Sequence, residues 1–313
     1  MISVIMPAYN TAAYIAESIE SVLQQTEQEL ELIIVDDGSE DNLRETIEPY
    51  LVKDKRIRFI RQDNQGVSAA RNRGMDLAQG EYLAYLEGDD LWTPAFLHTA
   101  PRAIHQGTPA FVSPVADLLL TDGQRSRTSA PCVSGRLDAF ITSWNELRLP
   151  FHISGVLLKR EILTGYAIQF ERGMAISEDI GFFMKLLCVT PAVHIPAVLT
   201  YYRKREDSAS TRKWTPKRWE SVVHIHEGAE RYVKQYAPEI WPDFVRMRDY
   251  RTYRFVWGTV KEGFIDEALQ YIARWQPWLQ SFVHGRGKPN DRLKCRIMLF
   301  RKAGLLRLLR LLS

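Results

Sequence analysis

Short apolar runs alternate with amphipathic stretches over the first 90 residues of the chain. Four of these runs predict buried strands; they lie at 2–6, 32–35, 57–60 and 81–86. After the first run, Ile15, Ile19 and Val22 share one helical face, and Asn10 or Thr11 is positioned to cap that helix. Further helices are predicted up to about Leu51 and from Gly66 to Gly80.

Strands that alternate with helices indicate a parallel sheet wound in right-handed crossovers. In such sheets, ligands bind at the carboxyl ends of the strands. Three polar clusters follow the predicted strands in this way, at residues 7–10, 36–37 and 87–90. The sequence therefore predicts one ligand site that is built from three loops.

The alternation weakens between Thr93 and about Arg205, apart from a helix predicted after Glu178. Beyond Ser210 the pattern becomes helical, over residues 217–282. We therefore expect an α/β region to end near residue 206 and a helical region to follow it.

The composition is that of a globular protein that needs no disulfides. The chain has 313 residues, of which 45% are hydrophobic and 25% charged. Cys132, Cys188 and Cys295 have no paired spacing, which argues against a disulfide framework and against a cysteine zinc site. No apolar run reaches the ~18 residues of a membrane span, and no signal segment opens the sequence. We expect a cytoplasmic location.

The positive charge is concentrated at the end of the chain. Residues 286–313 hold nine Lys or Arg and one acid, although the whole chain carries only +3. On a helical wheel, four basic residues fall within ~60° of one another and many leucines lie elsewhere. They are Arg292, Arg296, Arg307 and Arg310. The helix either packs on its own domain or lies on anionic lipid, and we favour peripheral membrane contact through residues 291–313.

The loop that begins at Asp36 and Asp37 is a good turn sequence, so a structural role is as sound an interpretation as a functional one. Its position favours function, because both acids follow an apolar strand at the edge that also holds Tyr9 and Asn10. A carboxylate at this edge can accept hydrogen bonds from a nucleobase.

The helix that Gly66 opens carries donors in its first turns, from Ser68, Arg71 and Asn72. A helix start rich in donors favours an anion, whereas the alternative leaves Arg71 and Arg73 merely solvated.

Three acids, Glu87, Asp89 and Asp90, lie within four positions after the fourth apolar run. Such acids repel one another unless a cation or hydrogen-bond donors hold them. Hard oxygen ligands of this kind suit Mg²⁺ or Mn²⁺ shared with a substrate diphosphate.

The stretch from Val4 to Pro94 resembles the nucleotide-sugar-binding half of family 2 glycosyltransferases, which are inverting enzymes of the GT-A fold. The resemblance rests on the clusters described above and extends to about residue 210. It implies a Rossmann-like, mostly parallel α/β sheet with helices on both faces and a helical C-terminal extension. The implied divisions are a donor half at 1–100, an acceptor and catalytic-base half at 101–205, a helical extension at 206–285 and a basic amphipathic tail at 286–313.

By that resemblance, Pro7, Tyr9 and Asp37 line the nucleobase. Asp89 is the implied ligand of Mn²⁺ or Mg²⁺, while Glu87 departs from the Asp that the family usually has. The implied donor-contacting residues are Pro7, Ala8, Tyr9, Asn10, Asp36, Asp37, Ser68, Arg71, Glu87, Gly88 and Arg205.

A second acidic pair, Glu178 and Asp179, also matches the family. Taken alone, acids in the first turn of a helix are explained by the helix dipole. The resemblance implies that Asp179 is the general base of the transfer. Lys185 stands where the family has Arg, and Arg205 stands where the family has His; we hypothesise that Arg205 approaches the diphosphate.

The implied activity is inverting transfer of a sugar from a nucleotide donor, a UDP-sugar, to a saccharide or lipid-linked glycan. The implied setting is lipopolysaccharide, capsule or exopolysaccharide synthesis at the inner face of the cytoplasmic membrane, with no nucleic-acid partner. The main alternative is a sugar-nucleotide-binding scaffold without turnover. An oxidoreductase lacks its Gly-x-Gly-x-x-Gly motif here, and a nucleotidyltransferase lacks its Gly-rich basic loop.

Overall fold

The computed structural model describes residues 1–104, 111–119, 125–127, 134–139, 152–204, 215–285 and 288–311. The chain divides into two compact units. The first comprises Met1–Gly173 and Phe182–Thr211, and the second comprises Met174–Gly181 and Arg212–Ser313. Cys188 and Cys295 are buried thiols, whereas Cys132 lies outside the described residues.

The first unit opens with parallel strands and helices in alternation. The strands are β1 (Ile2–Ala8), β2 (Leu30–Asp36), β3 (Ile57–Arg61) and β4 (Tyr82–Tyr85). The helices between them are α1 (Ile15–Leu23), α2 (Leu43–Lys53) and α3 (Val67–Leu77). The strands pair in the order β3-β2-β1-β4, and every pair is parallel. The predicted parallel sheet is confirmed.

Helices cover both faces of this sheet. Every residue of β1 and β2 is buried, as expected for strands that are covered on both sides. Val4 packs in one apolar cluster with Ile15 of α1. On the opposite face, Ile5 lies so close to Gly74 of α3 that a Cβ on residue 74 would overlap its side chain.

The sheet continues with strands that pair mostly in antiparallel fashion. Its remaining elements are β5 (Leu91–Trp92), α4 (Phe96–Arg102), β6 (Phe111–Leu119), β7 (Arg125–Arg127), β8 (Leu157–Lys159), α5 (Arg160–Gly165) and β9 (Ala192–Arg203). The full order is β3-β2-β1-β4-β8-β6-β9-β5, with β7 paired to β6. Strand β8 runs antiparallel to β4, while β6 and β9 run parallel. Helix α6 (Glu178–Val189) begins where the sequence predicts it.

The second unit is helical, as predicted for the end of the chain. Its helices are α7 (Pro216–Tyr236), α8 (Trp241–Glu262), α9 (Ile265–Arg274), α10 (Gln276–His284), α11 (Pro289–Leu299) and α12 (Ala303–Leu311). Tyr253 and Phe282 stack in its core, with ring centroids 4.7 Å apart. Met298 of α11 and Leu306 of α12 are fully buried in the same cluster. Of the helices within the described ranges, none combines the length and the apolar character that crossing a membrane requires.

Two predicted helix ends are wrong. Helix α1 begins at Ile15, and neither Asn10 nor Thr11 is its cap. The carbonyl of Thr11 accepts hydrogen bonds from the amides of Tyr14 and Ile15, so a tight turn precedes the helix. Helix α3 ends at Leu77, before Gly80. Gly80 is required for another reason, because a Cβ there would lie 2.6 Å from the amide nitrogen of Ser3.

The basic tail forms two helices, so the single helical wheel drawn from the sequence is wrong. The chain turns between α11 and α12, where Arg301 has a φ of 53°. Leu306 faces the core, and Arg310 donates from Nε to the carbonyl of Lys261 at 2.9 Å. One side of α12 therefore packs on its own unit, and peripheral membrane contact stays a prediction.

Candidate functional site

The ends of β1 and β2 are joined through Asn10. Its amide nitrogen donates to Ser39 Oγ at 3.0 Å, and its Oδ1 accepts from the amide of Glu40 at 2.8 Å. Asn10 has a φ of 52°, a left-handed conformation that Asn tolerates better than most residues. The turn leaves the neighbouring Tyr9 45% exposed at the carboxyl edge of the sheet.

Asp36 is fully buried and holds its own loop together. Its Oδ1 accepts from the amide of Ser39 at 2.8 Å, and its Oδ2 pairs with Arg61 at 2.7 Å. Both oxygens of this carboxylate therefore already have protein donors.

Asp37 organises the chain that leads into α3. Its Oδ1 accepts from Gln62 Nε2 at 2.8 Å and from the amide of Gln65 at 3.0 Å, and its Oδ2 accepts from the amide of Gly66 at 2.8 Å. Gly38 beside it has a φ of +77°, and a Cβ there would lie 2.9 Å from the amide nitrogen of Asn64. Asp37 thus shapes the loop in which the sequence places a nucleobase contact.

Gly88 brings the third cluster against the first. A Cβ on Gly88 would lie 2.9 Å from Thr11 Oγ1 and 3.4 Å from the carbonyl oxygen of Pro7. Only a glycine allows the turn after β4 to approach the end of β1 this closely. The three polar clusters therefore meet at one edge of the sheet.

Arg71 is buried on α3, where it forms an ion pair with Glu87. Its Nη2 and Nε lie 2.8 and 3.1 Å from Glu87 Oε1. The guanidinium also lies over the ring of Phe170, 5.0 Å from the centroid. Ser68, one turn earlier on α3, is buried as well. The alternative interpretation, in which Arg71 is merely solvated, is therefore wrong.

Asp90, the last of the three acids that follow β4, is fully buried. Its Oδ2 accepts from Ser154 Oγ at 2.5 Å, and its Oδ1 accepts from the amide of Arg203 at 2.9 Å. Burial raises the pKa of Asp90 to about 7, although these two hydrogen bonds oppose the rise. Burial lowers the pKa of the neighbouring His152 to about 4, so its ring is neutral near pH 7.

The comparisons with known proteins agree with this arrangement. Residues 3–152 match the family described as Glycosyl transferase family 2. Just under half of the chain is therefore similar to a family 2 glycosyl transferase domain. The putative teichuronic acid biosynthesis glycosyltransferase TuaG of Bacillus subtilis is 36% identical over 39% of this chain and 49% of its own length. The chain spans 36–54% of the length of the first curated relatives that it matches.

Two solved structures show the fold of this chain. The complex of S. aureus TarS with UDP-GlcNAc is 19% identical, with a TM-score of 0.71 over 99% of this chain and 90% of the TarS chain. The mannosyltransferase PcManGT of Pyrobaculum calidifontis, in complex with GDP-Man and Mn²⁺, is 19% identical with a TM-score of 0.59, over 99% of this chain and 86% of its own. The chain has the GT-A fold of TarS.

The acids after β4 have different surroundings. Glu87 is paired with Arg71 and Asp90 with Ser154, whereas Asp89 is held through its backbone carbonyl, which accepts from Arg203 Nε at 2.8 Å. Within the described ranges, no three His, Cys, Asp or Glu side chains cluster as a metal site would require. A divalent cation that one or two carboxylates share with substrate phosphates fits this donor set.

Two of the remaining predicted residues lie in the described chain. Asp179 belongs to the second unit, where its Oδ1 accepts from the amide of Ile180 at 2.8 Å. Its role as a base stays a prediction. Lys185 pairs with Glu171 at 2.8 Å inside the first unit. Arg205 lies outside the described residues.

No pattern in the sequence pointed to Ser154, since a lone serine before a short strand belongs to no motif. Arg203 lies in the part of the chain that resembles the family, but the hypothesis of a diphosphate contact concerned Arg205, two residues later. Long-range hydrogen bonds of this kind become visible only once β8 and β9 are placed beside β4.

Proposed function

We propose that this chain is an inverting glycosyltransferase that moves a sugar from a UDP-sugar to a saccharide or lipid-linked glycan. The observation that carries the proposal is the meeting of three polar loops at the carboxyl edge of a family 2 sheet. The UDP-GlcNAc complex of TarS supports the choice of a uridine nucleotide.

The nucleotide would lie along the loops after β1 and β2. The exposed ring of Tyr9 offers a stacking surface to the base, and the ordered turns around Asn10 and Asp37 offer fixed polar groups beside it. The donor-rich start of α3, with Ser68 and Arg71, would lie on the diphosphate side. The proposed donor contacts in the described residues are Pro7, Ala8, Tyr9, Asn10, Asp37, Ser68, Arg71, Glu87 and Gly88, whereas the fully buried Asp36 would act by holding its loop.

Asp179 would act as the general base of the transfer. The acceptor hydroxyl oxygen forms a bond to the anomeric carbon, while the bond from that carbon to the diphosphate oxygen breaks and its electron pair leaves with the nucleotide. The hydroxyl proton passes to the Asp179 carboxylate. Attack from the face opposite the leaving group inverts the anomeric centre.

A divalent cation, Mn²⁺ or Mg²⁺, would stabilise the charge of the departing diphosphate. Asp89 is the residue that we assign to hold it. The complex of PcManGT with Mn²⁺ supports this assignment, as does the position of Asp89 in the turn after β4. Arg205 would add positive charge near the same phosphates.

The acceptor would belong to surface-polysaccharide assembly, a class that the name of TuaG supports. Helices α11 and α12 support contact between the tail and the inner face of the cytoplasmic membrane. Their exposed apolar side chains stand among basic residues, as in helices that lie on anionic lipid. These apolar side chains are Leu293, Phe300, Leu308 and Leu311.

A donor screen tests the proposal. UDP-, GDP- and CDP-sugars are assayed for Mn²⁺-dependent hydrolysis and for thermal stabilisation of the protein, with Asp89→Ala and Asp179→Ala alongside. Asp76→Ala, an exposed acid on α3, is the matched control. We expect turnover of one UDP-sugar, loss of turnover in both site variants, retained donor binding in Asp179→Ala, and normal activity in Asp76→Ala.

Donor binding without turnover, even with candidate acceptors present, would favour the scaffold alternative. The ion pair between Glu87 and Arg71 is the observation that supports this alternative, because it engages the carboxylate of the first acid of the turn. If no nucleotide sugar binds, the proposed function is refuted.

A further inference from the structure

A network of buried hydrogen bonds lies directly beneath the acidic turn of residues 87–90. Ser154 Oγ accepts from the amide of Glu87 at 3.1 Å and donates to Asp90 Oδ2 at 2.5 Å. A serine hydroxyl has one proton to donate, and Ser154 donates it to Asp90. The same oxygen accepts a hydrogen bond from the amide of Glu87 at the other end of the turn. The start and the end of the turn are thus tied to one side chain.

Arg203, the last residue of β9, holds the middle and the end of the same turn. Its backbone amide donates to Asp90 Oδ1 at 2.9 Å, and its Nε donates to the carbonyl of Asp89 at 2.8 Å. The guanidinium is itself fixed, since Nη2 pairs with Glu17 at 2.9 Å and the group lies 5.1 Å from the ring centroid of Tyr14. Two separate parts of the first unit, the segment around Ser154 and the end of β9, therefore hold the four residues of this turn.

Asp89 is held in this network by its main chain, through the carbonyl that Arg203 contacts. A ligand to a cation has to keep its geometry within about half an ångström, and neighbouring hydrogen bonds provide that rigidity. The ring nitrogen of Trp92 adds a further bond to the carbonyl of Ser154, so Ser154 is itself held in place.

We propose that Ser154 and Arg203 are positioning residues that set the backbone of Asp89 for a divalent cation bound together with a nucleoside diphosphate. The inference rests on the proposed function, because it assumes the donor and the metal assigned there. Neither residue touches the donor in this proposal, and both act through the turn.

Mn²⁺ and UDP are the probes of the test. UDP binding is measured by calorimetry with and without Mn²⁺, and bound Mn²⁺ is followed by electron paramagnetic resonance in the presence of UDP. The variants are Ser154→Ala and Arg203→Lys, with Ser154→Thr as the conservative replacement that keeps the hydroxyl. Thr164→Ala, which removes an exposed local hydroxyl from α5, is the matched control.

We expect Ser154→Ala and Arg203→Lys to raise the Mn²⁺ concentration needed for half-maximal binding roughly tenfold, the effect of losing about one buried hydrogen bond. UDP binding without metal should change less than threefold, because the nucleoside contacts lie in other loops. Ser154→Thr should restore most of the Mn²⁺ affinity. The Arg203 side chain is only partly buried, so Arg203→Lys should fold and supplies the test if Ser154→Ala does not fold.

The outcomes separate the inference from the proposed function. If wild-type protein binds UDP with Mn²⁺ and Asp89→Ala does not, but both variants match Thr164→Ala, the positioning role is overturned and the proposed function stands. An equal loss of UDP affinity with and without metal would also overturn the positioning role, since it would indicate general damage to the fold. If wild-type protein binds neither probe, both proposals fail.

Discussion

Breaking the ion pair between Arg71 and Glu87 should destabilise the first unit strongly. Arg71 is nearly fully buried, and the side chain of Glu87 is 23% exposed. Replacing one partner of a buried pair costs about 3–5 kcal/mol, because the other charge is left without compensation. Since Glu87 keeps some contact with solvent, we expect Glu87→Gln to cost about 3 kcal/mol. At 2–4 °C per kcal/mol for a unit of this size, Tm should fall by about 6–12 °C.

Scanning calorimetry measures this effect, and the chain offers a matched control. Arg44 and Glu48 form an ion pair at 2.6 Å on the surface of α2, with both side chains about half exposed. Glu48→Gln should cost less than about 0.5 kcal/mol. A fall in Tm for Glu87→Gln no larger than that for Glu48→Gln would refute the reasoning.

The double variant Glu87→Gln/Arg71→Met separates charge from packing. It removes both charges, so its cost should be smaller than the sum of the two single costs by about 1–3 kcal/mol. Glu87→Asp should also weaken the pair, because the carboxylate would be one methylene short of Arg71. Additive costs would mean that the two side chains act independently, which contradicts the geometry.

Burial lowers the pKa of His226 to about 3, with help from the positive charges of Arg251 and Arg248. The unfolded chain therefore takes up a proton below about pH 6.5 that the folded protein does not bind, so His226 by itself should lower stability by about 2 kcal/mol at pH 5 relative to pH 7. Urea unfolding of the wild type and of His226→Gln at both pH values measures this contribution, because Asp90 and His152 titrate in both proteins. Gly38→Ala should cost about 1–3 kcal/mol through its positive φ, seen as a lower Tm. Leu308→Glu in α12 should reduce sedimentation with vesicles of anionic lipid but not with neutral ones; equal sedimentation of the variant and the wild type on anionic vesicles would contradict the membrane proposal.

The sequence predicted the parallel sheet because strong apolar periodicity coincided with clear helix spacing over the first 90 residues. It also predicted which three clusters would share an edge, since the carboxyl ends of parallel strands meet by topology. It failed at helix ends, where the carbonyl of Thr11 decides the start of α1 and a close approach to Ser3 explains Gly80. It also failed for Ser154 and Arg203, because side-chain contacts across 60 or more residues carry no local pattern.

The contacts of the acidic turn explain how the fold accommodates three neighbouring acids. Three acids within four positions repel one another unless donors or cations hold them. Arg71 neutralises the charge of Glu87 in an ion pair. The longer side chain of Glu reaches the guanidinium better than Asp would, because Arg71 lies on a neighbouring helix. Ser154 and the backbone amide of Arg203 satisfy Asp90 in the interior. Asp89 is held in the same turn through its backbone carbonyl, which accepts from Arg203 Nε. The departure from Asp at position 87 therefore does not remove the proposed metal ligand, and we expect Glu87→Gln to reduce stability more than it reduces Mn²⁺ affinity.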